Sequence, residues 1–480
     1  MSPSRTQAIR RTSVELSCRF PERAGVHQLS GGRALSQSGS EQRVFTAFCG
    51  AGLWPGLGST LAGELAEAGI RAPEDVTAST LAGLPKVGTV RAGRLMSAFI
   101  AARPAYDVVD LLVAAGLPAR LAGRAVDTFG PGAHRLLRDD PWRLLQLVGV
   151  EVADADALAK VALPGVSQSD PRRCRALVGY VLARAARDGH TLMPAVDVGH
   201  ELDYYRIPDV EAAIADALAG ESVRSVPAAG SVPAAGSASA AGSASASAGG
   251  GEQLLALDHY FAAEQTIAVA ISRLTRTAEP IAIGKPAKGK RAKAAPVVPD
   301  DGLDEVQRSA VLNALAHGVS VLTGGPGTGK SRTVAAVVRA AELAGKSVAL
   351  AAPTGRAAKR LAELCDAEAM TLHRLLGAQP RSNSETGEVD FSAGFARGPD
   401  WPLDQDLVVV DEASMLDVDL AASLLRACAD STHLMFVGDS AQLPSIGPGQ
   451  VLADLIGSAA VPVVELATLY RQDAGGAIAR

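Results

Sequence analysis

Aromatic residues are scarce, at 4% of the 480-residue chain. Cores of any size must therefore be built from aliphatic side chains and alanine, which favours helix-rich architecture with small side chains. Cysteine is sparse too. The five thiols, Cys18, Cys49, Cys174, Cys365 and Cys428, are odd in number, and no two stand at C-x-x-C spacing. That excludes a disulfide framework and a Cys-based zinc site, and leaves buried thiols in a reducing cytoplasm as the expectation. No apolar run reaches membrane-spanning length. The stretch from Met1 to Arg43 is polar, rich in Ser and Arg, and aperiodic. It lacks the apolar core of a secretory signal and is expected to be disordered. A basic excess is also missing: the formal net charge is −5, which excludes a basic nucleic-acid coat. Any contact with DNA has to come from local grooves. Lysine is outnumbered by arginine, yet Lys285, Lys288, Lys290 and Lys293 stand together.

What is present is more specific. Nearly half the residues are hydrophobic (48%), and the length suits about two to four domains. The run Gly324-Gly325-Pro326-Gly327-Thr328-Gly329-Lys330-Ser331 follows the apolar stretch Val319 to Thr323 and precedes the apolar-periodic stretch Val334 to Leu343. Strand, glycine loop and helix in that order make a phosphate-binding loop. Its glycines let successive N–H groups face one point, and the helix start adds partial positive charge. Lys330 is placed to reach the β- and γ-phosphates of ATP, and the Ser331 hydroxyl to ligate Mg²⁺.

Further along, Asp406 to Val410 reads as a buried strand ending in Asp411-Glu412. Asp411 is placed to hold Mg²⁺, directly or through water, and Glu412 to orient or deprotonate the attacking water. Gln307 lies on a predicted helix about twenty residues before the loop, where its amide offers adenine both a donor and an acceptor. The strand Leu434 to Gly438 leads into Asp439-Ser440-Ala441-Gln442, and Gln442 is placed to sense the γ-phosphate. Arg471, near the C-terminus, is a candidate for stabilising transition-state charge. The strand Ser347 to Ala352 ends in Pro353-Thr354-Gly355-Arg356 at the carboxyl edge expected of a parallel sheet. Thr354 and Arg356 there suit a nucleic-acid phosphate or, alternatively, an ordinary helix cap with a surface arginine. His373 suits a core position and a DNA contact equally.

The N-terminal part reads as short helices broken by Gly and Pro. Trp54-Pro55-Gly56-Leu57-Gly58 and Leu84-Pro85-Lys86-Val87-Gly88 each precede a helical stretch, Thr60 to Ala68 and Val90 to Ala101, in a helix–hairpin–helix pattern. Such a hairpin turns backbone N–H groups outward, where a DNA phosphate docks without base readout. Lys86 and Gly88 are the candidates for that contact, although Lys86 stands where the pattern has glycine. Leu147-Val148-Gly149-Val150 is a weaker third copy. The same turns also serve as plain helix packing. Ser222 to Val226 and Gln253 to Leu257 look like the two strands of a hairpin, with an Ala/Ser/Gly insert at its tip.

Taken in order, GGPGTGKS, APTGRAAKRL, TLHRLLG, VVVDEASMLD, VGDSAQLPSIGPG and LYRQ resemble superfamily 1 DNA helicases, and among them the RecD-like family related to the alpha subunit of exodeoxyribonuclease V. The stretch GPGAHRLLRDDPWRLLQLVGVEVADADALA is similar to the longer RecD-like proteins, which carry helix–hairpin–helix units before the motor. The resemblance implies a multidomain chain: an all-α helix–hairpin–helix region followed by an α/β RecA-like phosphate-loop domain with a parallel sheet. The expected divisions are a disordered 1–43, a DNA-binding 44–165, a helical or winged connector 166–279 with a flexible insert 225–251, and a basic linker 280–299. The ATPase domain is expected at 300–460 and the start of a second, truncated RecA-like domain at 461–480. Family members insert a β-hairpin pin that splits duplex. The matching stretch is 377–403, where Phe391, Phe395 and Trp401 either stack on bases or anchor the loop. The resemblance also implies a 5′-to-3′ motor on single-stranded DNA, using ATP and Mg²⁺, acting at duplex junctions in repair or recombination. The chain stops at Arg480, so it is expected to be a fragment that unwinds little alone. A DNA-binding protein with a nucleotide switch and no unwinding is the other reading.

Overall fold

A computed structural model describes residues 37–227, 253–282, 302–378, 381–382, 389–390, 394–442 and 444–468. The helices α1 (Gln37–Gly50), α2 (Ser59–Glu67), α3 (Ala78–Ala82), α4 (Thr89–Ala114), α5 (Leu121–Phe129), α6 (Ala133–Asp139), α7 (Val152–Ala162) and α8 (Pro171–Arg187) share one hydrophobic core. The scarce aromatics are concentrated in it. Phe45, Phe48, Trp54, Phe99 and Tyr106 pack with ring centroids 4.7 to 6.5 Å apart, and Trp54 Nε1 donates to the Leu95 carbonyl at 2.9 Å.

Two sequence expectations change here. The helix α1 starts at Gln37, so the end of the stretch expected to be disordered is helical; Val44, Phe45 and Phe48 bury one face of α1 and order the turns before them. Residues 1–36 lie outside the described residues. The helix α4 runs on past Ala101, through Pro104, to Ala114. A proline inside a helix costs about 3 kcal/mol. Burial of Tyr106, Val108, Val109, Leu111 and Leu112 beyond it offsets that cost.

Next come β1 (Leu192–Pro194), α9 (Ala195–Asp203), α10 (Val210–Ala219), β2 (Val223–Pro227) and β3 (Gln253–Leu257). The strands form an antiparallel sheet in the order β1-β3-β2. The expected hairpin is present, with Val223 opposite Leu257 and Val226 opposite Leu254. Most of the Ala/Ser insert lies outside the described residues. Val198, Leu202, Val223 and Leu255 join the helical core, so connector and hairpin region form one packed body.

The helix α11 (Asp258–Thr277) leaves this sheet and docks on the second body. Its Ala263 packs with Val418 and Ala422, and its Ile271 and Leu274 enter the core beneath the large sheet. The basic linker, expected from 280, lies outside the described residues from 283. Its first residues are fixed: Ile281 is buried and its N–H donates to the Leu315 carbonyl at 2.8 Å.

The second body contains α12 (Glu305–Ala316), β4 (Val319–Gly324), α13 (Lys330–Leu343), β5 (Val348–Ala352), α14 (Gly355–Cys365), β6 (Ala369–Thr371), α15 (Leu372–Leu375), β7 (Arg381–Ser382), β8 (Val389–Asp390), β9 (Leu407–Val410), α16 (Val418–Ala427), β10 (His433–Gly438), α17 (Val451–Ser458) and β11 (Val463–Leu466). Six strands form a parallel sheet in the order β11-β4-β10-β9-β5-β6. The strands β4, β9 and β10 are buried along their whole length, as unbroken apolar runs in a covered parallel sheet require. The fold is the RecA-like phosphate-loop domain. Its sheet extends beyond residue 460, where a second domain was expected to begin. The strand β11 pairs with β4 from Val463–Val321 to Leu466–Gly324, because Val464 and Leu466 bury in the core of this same domain.

Candidate nucleotide and nucleic-acid site

The glycine loop joins β4 to α13, and Lys330 and Ser331 open that helix. Gly324 has no alternative, since a Cβ there would lie 2.6 Å from the Leu466 carbonyl and 2.9 Å from Thr328 Oγ1. Gly329 sits at φ +93° to turn the chain into the helix. Thr328 braces the loop by donating its hydroxyl to the Gly325 carbonyl at 2.8 Å. The Lys330 ammonium donates to the carbonyls of Gly324 and Gly325. Burial pulls its pKa down, against the opposing influence of Asp439 and Asp411.

The strand order puts β10 and β9 between β4 and β5, so the loops after β4, β9 and β10 meet at one edge of the sheet, where open parallel sheets bind ligands. Register completes the alignment, with Gly438 beside Thr323 and Phe436 beside Val410. The resulting cleft of about 330 Å³ is lined by Lys330, Ser331, Asp411, Glu412 and Gln442, together with Pro326, Gly327 and Gly329 of the loop. Burial pushes the Asp411 carboxyl above its usual range, partly countered by the Glu412 N–H at 2.9 Å and by Lys330 and Arg360. Glu412 adopts φ +52°, ψ +39°, a left-handed conformation costing about 1–2 kcal/mol for a residue with a Cβ. Such strain gathers where a side chain must be aimed. Gln442 is exposed, with its amide nitrogen 3.2 Å from Asp439 Oδ2.

Gln307 is buried, and the structure gives it a second role. Its N–H donates to Asp304 Oδ1 and its Oε1 accepts from the Asp304 N–H, closing a capping box on α12. Its Nε2 is buried with no partner. The glycine loop and the Lys330–Asp411–Glu412 set fit the phosphates and metal of a nucleoside triphosphate, whereas Gln307, with its buried leftover donor, is not among the residues lining that cleft. Arg332, Arg360, Leu364 and Asp439 also line the cleft and were not singled out from sequence. Arg360 stands three residues after Ala357, another lining residue. That spacing on one helix face within APTGRAAKRL was the signal available.

Thr354 caps α14, its hydroxyl accepting from the Ala357 N–H at 3.2 Å, while Arg356 is exposed beside it. The threonine proton remains free to donate elsewhere. His373 is half-buried against Phe395, ring centroids 5.9 Å apart. Phe395 packs on the core, whereas Trp401 is exposed with the Arg397 guanidinium 4.0 Å over its ring. Within the pin-like stretch, β7 and β8 pair antiparallel. Phe391 and Arg471 lie outside the described residues.

The N-terminal hairpins share one geometry. Leu57, Val87 and Val150 each donate to the carbonyl three residues back, at 3.1, 3.2 and 3.3 Å. Gly56, Lys86 and Gly149 occupy the third turn position with φ of +86°, +59° and +77°, which is a type II turn. Lys86 therefore keeps the turn at the cost of strain. The helix starts differ. Gly58 and Gly88 cap α2 and α4 without a side chain, leaving those N–H groups open. At the third hairpin the Asp154 carboxylate accepts from the Glu151 N–H at 3.0 Å, and Tyr180 donates to Glu151 Oε2 at 2.7 Å. This helix start therefore carries the carboxylates of Glu151 and Asp154, unlike the side-chain-free starts at Gly58 and Gly88.

A family model described as the ATP-dependent RecD2 DNA helicase HHH domain matches residues 101–192, and one described as an AAA domain matches residues 302–480. The ATP-dependent RecD2 DNA helicase of Deinococcus radiodurans is 35% identical over 361 residues, which is 75% of this chain and 46% of that protein. The chain is similar to RecD-like proteins in both its helical and its phosphate-loop regions. The RecBCD enzyme subunit RecD of Mycobacterium tuberculosis is 38% identical over 253 residues, 46% of this chain and 39% of that protein. The chain thus spans about half the length, or less, of the curated RecD-like relatives it matches. A crystal structure of Pif1 helicase from Candida albicans aligns over 35% of this chain and 41% of that chain, with 24% identity and a TM-score of 0.27. The matched RecD2-type domain contains the third hairpin and reaches through α8, past the division expected at 165. No helix among the described residues is long and apolar enough to cross a membrane.

Proposed function

We propose that this chain forms the nucleotide-binding part of an ATP-dependent DNA helicase that moves 5′-to-3′ on single-stranded DNA, working in the cytoplasm at duplex junctions during repair or recombination. One observation carries the reading: Lys330, Ser331, Asp411, Glu412 and Gln442, far apart in sequence, line one cleft. In this reading the loop N–H groups from Gly324 to Gly329 and Lys330 hold the phosphates of ATP. Ser331 and Asp411 hold Mg²⁺, which supplies charge neutralisation between the phosphates. Gln307 offers its unpartnered amide N–H to the base. Glu412 aims a water at the γ-phosphate and takes its proton. Gln442 registers the γ-phosphate, and Arg471 adds positive charge to the transition state.

For DNA, Thr354 and Arg356 meet the single strand at the carboxyl edge of the sheet. The open helix starts at Gly58 and Gly88, with Lys86, take duplex phosphates. The test is ATP hydrolysis with and without single-stranded DNA. Lys330→Ala should abolish nucleotide binding. Glu412→Gln should keep binding but slow turnover by roughly 10²–10⁴-fold. Equal turnover by wild type and both variants would refute the assignment. Nucleotide binding without any DNA-stimulated turnover would favour a switch that does not unwind.

A further inference from the structure

The loop that carries Gln442 is anchored at both ends. In the cleft, Asp439 accepts from the Ala441 N–H at 3.0 Å and from Gln442 Nε2 at 3.2 Å. Midway, Ser445 Oγ lies 2.7 and 3.0 Å from the carbonyls of Gly447 and Gly449. Gly447 presses on Asp417, the N-cap of α16; a Cβ there would stand 2.5 Å from the Asp417 carboxylate. The Pro448 carbonyl accepts from the Val418 N–H at 3.0 Å. The far end then crosses to the other body: the Gly449 N–H donates to the Gly189 carbonyl at 3.1 Å.

Gly189 lies in the turn between α8 and β1. Two residues on, the Thr191 hydroxyl donates to Glu264 of α11. Gly449 has φ +92°, and a Cβ on it would lie 3.1 Å from Val418 Cβ and 3.7 Å from Thr191 Cγ2. On the other side of this joint, Leu177, Val181 and Leu182 of α8 share a core with Leu57, Val87 and Leu147 of the hairpins. A cavity of about 740 Å³ opens beside the joint, lined in part by Thr191, Glu264, Ile271, Gly449 and Asp454. It gives the joint room to shift without compressing a packed core.

We propose that the described parts of the loop after β10, Asp439 to Gln442 and Pro444 to Gln450, act as a strut that relays the state of the nucleotide cleft to the helix–hairpin–helix body, with the Gly449–Gly189 and Thr191–Glu264 bonds as its joint. The relay rests on the reading of the cleft as an ATP site and extends it to a second body. Movement of Gln442 toward a γ-phosphate displaces a segment whose other end is bonded to the turn after α8. The helical body then follows, or the joint breaks. Linkage makes the effect reciprocal, so a ligand on the hairpins changes nucleotide affinity by the same factor.

Hydrogen exchange on the whole chain, with and without a non-hydrolysable ATP analogue and Mg²⁺, tests the relay. In the wild type the analogue should slow exchange at peptides covering 324–333 and change it at peptides covering 185–194 by about 5-fold or more. Thr191→Val should keep the first response and lose most of the second, and Thr191→Ser should restore it. A wild-type response at 324–333 with none at 185–194 overturns the relay, as does an undiminished distant response in Thr191→Val. No response at 324–333 overturns the ATP-site reading itself, and the relay with it.

Discussion

At the scale of single residues, the informative positions are those holding a conformation their side chain resists. Glu412 and Lys86 both have left-handed backbone. At Glu412 the strained residue lines the cleft beside Lys330 and Asp411. At Lys86 it keeps a type II turn that Gly56 makes without cost, and sets a cation beside the open start of α4. Lys86→Gly should therefore hold or raise thermal stability, by up to about 1 kcal/mol, while weakening binding to a DNA duplex and flattening its salt dependence. A lowered melting temperature would show that the lysine stem contributes packing that outweighs the strain. The sequence singled out Lys330, Asp411 and Glu412, which line one cleft, because a phosphate loop and a strand-end Asp-Glu pair are local patterns of residue types. The capping role of Gln307 was not legible there, since it depends on a hydrogen bond to Asp304 that spacing alone does not reveal.

At the scale of elements, the site depends on how β9 and β5 are held in register. Asp406, just before β9, accepts from Lys346 Nζ at 2.7 Å and from the Ser347 N–H and hydroxyl at 2.9 and 2.8 Å, just before β5. The Lys346 hydrogen bond, followed by the Ser347 N–H, holds its carboxyl at about 2, below the ordinary 3.8. The folded state binds this proton less readily than the unfolded chain. The staple's contribution is therefore complete above the ordinary carboxylate range and lost as pH falls toward 2. Asp406→Asn should lower stability at neutral pH by about 1 kcal/mol or less, because solvent screens the half-exposed pair. It should also flatten the pH dependence between about 4 and 2. Urea titrations across that range would check both; an unchanged acid slope would count against the staple. The strands β4, β9 and β10 were visible as apolar runs, and the hairpin of β2 and β3 from its flanks. The extension of α4 through Pro104 was hidden because burial by distant residues outweighed a local penalty.

At the scale of the whole molecule, two bodies with separate cores are joined by α11 and the contacts around Gly189. Trp54 and Trp142 are buried in the helical body, while Trp401 is exposed on the other. Tryptophan emission should follow unfolding of the helical core, and circular dichroism both bodies. A non-hydrolysable ATP analogue at 100 times its Kd should stabilise the body that carries the glycine loop by about 2.7 kcal/mol. The tryptophan-monitored transition should move less, and Lys330→Ala should show no shift in either signal. Equal shifts in both signals would mean that the bodies unfold as one unit. Taken alone, the sequence determined that this protein carries a phosphate loop, a strand-end Asp-Glu pair and outward-turning hairpins, because each is a local pattern of residue types whose chemistry is short-range. Only the tertiary structure decided that β11 joins the edge of the six-stranded sheet, that Tyr180 engages Glu151 at the third hairpin, and that the Gln442 loop is bonded to the turn after α8. Each of these rests on contacts between residues distant in sequence, where packing and hydrogen-bond geometry, not local pattern, select the partner.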